Sequence, residues 1–437
     1  MRFHSTRGGA LVALEDAVMA GTAPDGGLYV PDELPVYQRS DFTEQLPIDQ
    51  FAAQLLAPFF VGSMLERDLE GICADALNFP APLRSLGSPE AALSLLELFH
   101  GPTAAFKDFG ARFLAATMSK IIEHRGESQP ATVIVATSGD TGAAVAAAFH
   151  RRPGTRVVVL FPDGRVSPRQ QHQLTCWGDN VISLSVKGEF DDCQRLAKAM
   201  FADQALSQRL NLCSANSINV GRLLPQSVYY AKTSSDFAQA HDDDRDSNSH
   251  YIVPTGNLGN AFACAWAKQM GFPIGALILA TNANRTIPDY LASGDWQPRR
   301  SVATLASAMD VGDPSNMERL QNLWGDAAAL NKQVRSCSVT DAEIRAEIVA
   351  EFQRSGLPVC PHTATGLHVY RNLLQDVERA GRHWVVAATA HAAKFDEIVE
   401  PLIGESIPVP AELTELLSCP VQYEVIEPNV AEIVNRL

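Results

Sequence analysis

From Leu93 onward, apolar runs of strand length alternate with stretches of helical periodicity, and this alternation constrains the fold more than any other feature of the chain. Strands joined through helices run parallel, and a parallel sheet needs helices on both faces. The patterning predicts strands at 93–99, 132–136, 157–161, 181–186, 251–253, 276–280 and 384–388. It predicts helices at 143–150, 169–177, 191–202, 221–240, 261–270, 317–324 and 341–354. Residues 1–90 lack the alternation: turn signals at Gly8-Gly9 and Pro24-Asp25-Gly26-Gly27 separate apolar helical stretches such as 51–64, which predicts a mainly helical N-terminal region. Residues 131–213 have the doubly wound pattern to themselves and read as a small subdomain, inserted into a larger domain made of 91–130 and 214–437. The charged run from His241 to Ser249 reads as a solvated loop.

Three places where a predicted strand hands over to a helix carry chemistry. The first is Phe99-His100-Gly101-Pro102-Thr103-Ala104-Ala105-Phe106-Lys107-Asp108-Phe109. A lysine at a helix start meets the positive end of the macrodipole, and Phe106 and Phe109 offer an apolar wall; both favour the neutral amine, the nucleophile that forms a Schiff base with an aldehyde. The other two are Thr137-Ser138-Gly139-Asp140-Thr141-Gly142 and Thr255-Gly256-Asn257-Leu258-Gly259-Asn260. Each aims free backbone N–H groups in front of a helix, where an anion binds, and each is equally the form of an ordinary tight turn with a helix cap. The second of these loops contains no carboxylate to repel a phosphate, whereas the first contains Asp140. In open α/β sheets, ligands bind outside the carboxyl ends of the strands, where all three segments fall.

The rest of the chain narrows the function by exclusion. A net charge of −15 and the absence of a basic run with interleaved aromatics predict no nucleic-acid partner. No apolar stretch reaches membrane-spanning length and the start lacks a signal-peptide core, so no membrane association and a cytoplasmic location are expected. The eight cysteines are scattered without a CxxC pair, which predicts reduced thiols and no metal centre. Dinucleotide, P-loop, zincin and serine-hydrolase motifs are missing. His4, His100, His362 and His391 are isolated candidates for polar contacts.

Taken together, the motifs resemble those of the threonine synthase family, pyridoxal-phosphate (PLP) enzymes of fold type II related to tryptophan synthase β. The resemblance runs nearly end to end, through Ser5-Thr6-Arg7-Gly8, Ala23-Pro24-Asp25-Gly26-Gly27-Leu28-Tyr29-Val30-Pro31, the Lys107 segment, both glycine loops, Ser214-Ala215-Asn216-Ser217-Ile218-Asn219 with Arg222, and Thr389-Ala390-His391 with Ala393-Lys394-Phe395. Within the family the chain is similar to the longer bacterial and fungal form.

The resemblance implies an α/β fold of two open twisted sheets with helices on both faces. It implies that Lys107 holds PLP and moves protons, that Gly256, Asn257, Leu258, Gly259 and Asn260 wrap the cofactor phosphate, and that Thr389 faces the pyridine nitrogen. Ser138, Asp140, Thr141, Asn216, Ser217, Asn219 and Arg222 would bind substrate, with the division between phosphate and carboxylate left open. Asp140 departs from the asparagine that many relatives of this fold carry; facing the cofactor hydroxyl, it must accept a hydrogen bond or be protonated. The implied reaction takes O-phospho-L-homoserine and water to L-threonine and phosphate, by γ-elimination and addition at Cβ, with the small subdomain closing over the site. A phospholyase releasing 2-oxobutyrate, a serine or threonine dehydratase, and an inactive PLP-fold binding module are the alternatives. A monomer or a homodimer is expected.

Overall fold

The alternation resolves into two sheets in a computed structural model that describes residues 1–87, 93–241 and 247–437. Residues 242–246 of the charged run, and the expected end of the N-terminal region near residue 90, lie outside the described residues. The strands in chain order are β1 (Arg2–Ser5), β2 (Gly8–Ala13), β3 (Tyr29–Pro31), β4 (Leu83–Ser85), β5 (Leu93–Glu97), β6 (Ala131–Ala136) and β7 (Thr155–Pro162). They continue with β8 (Val181–Val186), β9 (Leu212–Ser214), β10 (Ser249–Pro254), β11 (Ile274–Thr281), β12 (Val334–Ser338), β13 (His383–Ala388) and β14 (Glu424–Ile426).

The larger sheet has six strands in the order β12-β11-β10-β13-β5-β4, parallel except where β4 pairs with β5. The smaller has five, β14-β8-β7-β6-β9, all parallel. Their inner strands are covered on both faces, as a parallel sheet requires: every residue of β10 and β13 is buried, the polar Ser249, His250 and His383 included. The Lys107–Arg125 and Val220–Ala240 helices pack together, and one core runs from Val133 and Val157 of the small sheet to Val253 and Leu277 of the large one.

Strand order does the work that matters for function. β13, late in the chain, lies between β5 and β10, so the carboxyl ends of β5, β13 and β10 are consecutive at about 4.8 Å spacing. Those ends lead into the Lys107 segment, Thr389 and the Gly256–Asn260 loop. In the small sheet β6 is next to β9, which sets the 137–142 loop beside the segment that begins at Asn216.

Two features depart from expectation. The N-terminal region is mainly helical (Leu14–Ala20, Ile48–Phe60, Leu69–Ala76) but also forms a three-stranded antiparallel sheet, β2-β1-β3. Such short strands, broken by glycines, carry too little alternation to be read locally. The chain after residue 213 does not all belong with the larger sheet: β14 pairs with β8, and Ile426 and Ile433 pack into the small sheet's own cluster.

Candidate active site

Lys107 is the first residue of the Lys107–Arg125 helix, and the segment leading to it is laced to the end of β13. Leu98 N–H donates to Ala388 (3.0 Å), Phe106 N–H to Thr389 (2.8 Å) and His391 N–H to the Ala104 carbonyl (3.0 Å). Buried Asp108 accepts from the Thr103 amide (2.9 Å) and hydroxyl (2.7 Å), folding the segment back on itself. Gly101 is required at this fold, since a Cβ there would lie 2.5 Å from the Asp108 carboxylate. Phe106 supplies the expected apolar wall, with the Lys107 amine 4.9 Å from its ring centre. Phe109, two residues on and so on another face of the helix, instead packs against Phe79 and Tyr229. Burial lowers the Lys107 pKa; Asp140 opposes this, and Lys394 and Arg222 add to it.

The Thr137 hydroxyl shapes the opposite loop, accepting from Gly139 N–H (3.0 Å) and Gly142 N–H (2.9 Å). Ser138 is left exposed and Thr141 half-buried, while Asp140 points into the protein. One Asp140 oxygen, Oδ2, lies 3.4 Å from Lys107 Nζ; the other, Oδ1, lies 3.0 Å from Lys394 Nζ and accepts from the Gln170 amide at 3.3 Å. Burial alone would raise the Asp140 pKa, but Lys394, Lys107 and His362 together hold it well below the usual carboxylate range. The two lysines on either side of Asp140 favour its ionised, hydrogen-bond-accepting form.

Lys394 was present in the sequence only as part of a motif, and the structure makes it a site residue: wholly buried, it donates to the Thr103 carbonyl (2.6 Å) and so joins the Lys107 segment to Asp140. Its only sequence signal is a lysine among apolar residues just after a buried strand.

Beyond β10, Gly256 passes so close to Met309 that a Cβ would sit 2.7 Å from its Cα. Leu258 takes a left-handed conformation (φ 65°) and caps the Gly259–Gln269 helix, whose first-turn N–H groups have no intrahelical acceptors. The Asn260 carbonyl oxygen accepts from Tyr229 (2.5 Å) and Tyr230 (3.0 Å), which orients its amide; among the described residues the buried Nδ2 has no partner. Asn257 donates to the Ser217 hydroxyl (2.7 Å) and accepts from Ser315 N–H (2.6 Å). Thr389 is buried at the end of β13.

A cavity of about 760 Å³ lies between the loops of the two sheets, lined among others by Ser138, Thr141, Asn216, Ser217 and Asn257. An adjoining one of about 630 Å³ reaches Gln170 and Lys394. Two residues expected to touch substrate lie behind this surface. Asn219 is fully buried with both side-chain ends occupied by backbone, donating to Val18 (2.8 Å) and Ser214 (2.9 Å) and accepting from Gly221 N–H (2.9 Å). Arg222 is buried and donates to the Ala215 carbonyl (2.9 Å), and among the described residues its Nε has no partner; burial pulls its pKa down to about 10.

Of the four histidines, His362 lies in the electrostatic reach of Lys107, Asp140 and Lys394, and burial drops its pKa to about 4. His100 pairs with Glu97 (2.8 Å), His391 caps the turn that follows it, and His4 lies 3.7 Å from Asp32. Among the described residues, no cluster of His, Cys, Asp and Glu could hold a metal ion.

Comparison with known proteins gives this geometry its context. Residues 77–389 match the family model for pyridoxal-phosphate dependent enzymes, residues 2–77 that for the threonine synthase N terminus, and residues 363–437 that for the threonine synthase C-terminal region. The threonine synthase of Escherichia coli is 37% identical over 94% of this chain and 92% of its own length. That of Saccharomyces cerevisiae is 30% identical over 99% and 96%. The PLP-bound threonine synthase structure from Brucella melitensis superposes with a TM-score of 0.89 at 35% identity, covering 100% of this chain and 98% of that one. The site suits such a cofactor: a lysine of lowered basicity, a helix N-terminus at a glycine-rich loop, and the orphaned Asn260 Nδ2 beside it for a phosphate. The chain therefore belongs to the threonine synthase family, PLP-dependent lyases of fold type II.

Proposed function

We propose that the substrate is O-phospho-L-homoserine, converted with water to L-threonine and phosphate, and that Lys107 both anchors PLP and carries the protons. The observation that best supports this reading is the Lys107 amine, lowered in basicity and set beside an ionised Asp140, whose loop neighbours Ser138 and Thr141 line a cavity walled by hydroxyls and amides from both sheets. Bound PLP supplies the electron sink that lets Cα, and then Cβ, give up a proton as phosphate leaves Cγ. Burial keeps the free Lys107 amine available as a base, and the Asp140 anion stabilises the ammonium it becomes.

In this reading, Gly256, Asn257, Leu258, Gly259 and Asn260 hold the cofactor phosphate through backbone N–H groups and the free Asn260 amide. Thr389 is the partner of the ring nitrogen; a hydroxyl there leaves that nitrogen largely unprotonated. Ser138, Thr141, Asn216 and Ser217, which line the cavity, take the substrate's phosphate and carboxylate, while Asn219 and Arg222 position them from behind. The small sheet's loops close over bound substrate to exclude water. Ion pairs across the cleft, Arg300–Glu189 (2.7 Å) and Arg169–Asp396 (3.1 Å), support the two halves meeting there. A cytoplasmic location goes with free thiols at all eight cysteines, seven of them buried.

The test is to incubate purified holoenzyme with O-phospho-L-homoserine and assay threonine, 2-oxobutyrate and phosphate together, with Lys107→Ala as control. Equal amounts of threonine and phosphate, lost in the variant, are expected. Predominant 2-oxobutyrate would replace this reading with a phospholyase. Protease-digestion patterns that do not change when a substrate analogue binds would remove the closing motion.

A further inference from the structure

The N-terminal signature, Ser5 to Gly8 and Ala23 to Pro31, lines the cavity only at Ala23 and Pro24, yet it is tied to a helix that is bonded to both the substrate segment and the cofactor loop. That helix is Met317–Trp324. Glu318 faces outward and receives Arg7 through Nε (3.0 Å) and Nη2 (3.0 Å), together with the Thr6 hydroxyl (2.5 Å). The next residue, Arg319, faces inward and is wholly buried. Among the described residues no carboxylate pairs with it; its partners are all neutral oxygens. Nε and Nη2 donate to the Tyr29 carbonyl (3.2 and 2.8 Å), Nη2 also to the Ile218 carbonyl (2.7 Å), and Nη1 to Asn316 Oδ1 (2.7 Å).

Asn316, itself fully buried, passes the connection on. Its Nδ2 donates to the Asn257 carbonyl (2.9 Å) and the Ser217 carbonyl (3.4 Å). One guanidinium thus fixes three segments that are distant in sequence: the signature at Tyr29, the substrate segment at Ser217-Ile218, and the cofactor loop at Asn257. Burying a guanidinium without a counter-charge is unfavourable, and an apolar side chain would fill the same space at lower cost. What an apolar side chain lacks is the planar fork of donors that sets several carbonyls at fixed angles to one another; a lysine, with one point of charge, lacks it too.

We propose that Arg319 is a positioning residue for the reaction, holding the substrate segment and the cofactor loop in register against the N-terminal signature, with Asn316 as its relay. The proposal rests on the roles given to Asn257 and Ser217 above. It explains why the signature accompanies this site: the signature is the fixed body against which both loops are set.

The test compares Arg319→Met, Arg319→Lys and Asn316→Leu with the unmodified holoenzyme in three measurements: the rate of PLP release during dialysis followed by its absorption band, the split of kcat and KM, and the urea midpoint. Arg319→Met is expected to speed PLP release and raise KM about tenfold each, with kcat changed less than KM. Arg319→Lys should recover only part of the loss. Asn316→Leu, which leaves the Tyr29 and Ile218 contacts in place, should affect PLP release more than KM. If Arg319→Met does not fold, Asn316→Leu decides. PLP release and KM within twofold of the unmodified enzyme in every variant that folds, whatever the urea midpoint, would reduce Arg319 to a structural residue and overturn the proposal. PLP release is measured without substrate, so a wrong substrate assignment would not alter that outcome.

Discussion

Lys394→Met tests how the active-site carboxylate is held. The Lys394 side chain is 0% exposed and that of Asp140 2%, so their 3.0 Å contact is screened by protein rather than by water. Methionine keeps the length and most of the volume but removes the charge. Asp140 would retain Lys107 at 3.4 Å and the Gln170 amide at 3.3 Å, and the Thr103 carbonyl would lose its donor. Removing one partner of a buried ion pair costs about 3–5 kcal/mol; with Lys107 still in place the lower end, about 3 kcal/mol, is expected. Adding Asp140→Asn removes the stranded charge, so the double variant should be more stable than Lys394→Met alone. The assay is urea unfolding of the PLP-free protein, in which Lys107 keeps its free amine, and of three variants, closing a double-mutant cycle. A coupling below about 0.5 kcal/mol would refute the account of a mutually compensated pair. A pH dependence follows with a definite sign. Because the Asp140 pKa is depressed in the folded protein, its contribution is fully present above the ordinary carboxylate pKa and is lost progressively as pH falls from there through the lower folded value. In Lys394→Met the folded value rises towards the ordinary one, so the contribution lost is smaller and the loss is complete at a higher pH.

Two further outcomes can be checked independently. Gly256→Ala puts a Cβ 2.7 Å from the Met309 backbone, so it should displace the cofactor loop, cost about 1–3 kcal/mol in urea unfolding and weaken PLP binding measured by dialysis. His362 and His383 are buried with pKa values pushed down to about 4 by burial, so the unfolded chain takes up their protons first as pH drops below about 6.5. The urea midpoint should fall between pH 6.5 and 4, by up to about 1.4 kcal/mol of stability per pH unit for each histidine; a midpoint flat across that range would contradict their burial as neutral rings.

Local patterning carried most of the elements. The Val181–Val186 strand and Met317–Trp324 helix fall where periodicity places them, and the long helices after Lys107, Asn219 and Thr340 begin within a residue or two of expectation. The Lys107 segment, the Asp140 loop and the Gly256–Asn260 loop were legible because strand end, turn chemistry and helix start are contiguous in the chain, and each reads from its own neighbours. β1 and β3 were not, because strands of four and three residues hold less alternation than the turns around them.

By itself, then, the sequence determined the alternating elements, the two-sheet class and the three loops that carry chemistry. Tertiary structure alone decided that these loops meet. β13 inserts between β5 and β10, and β9 beside β6, through pairings between strands far apart in the chain, whose register depends on packing that no local window contains. The same cause hid Lys394, Asn316 and Arg319 and withdrew Asn219 and Arg222 from the cavity surface. Whether a polar side chain meets a ligand, a backbone carbonyl or a buried counter-charge depends on which distant segment is folded against it, and only the folded chain supplies that segment.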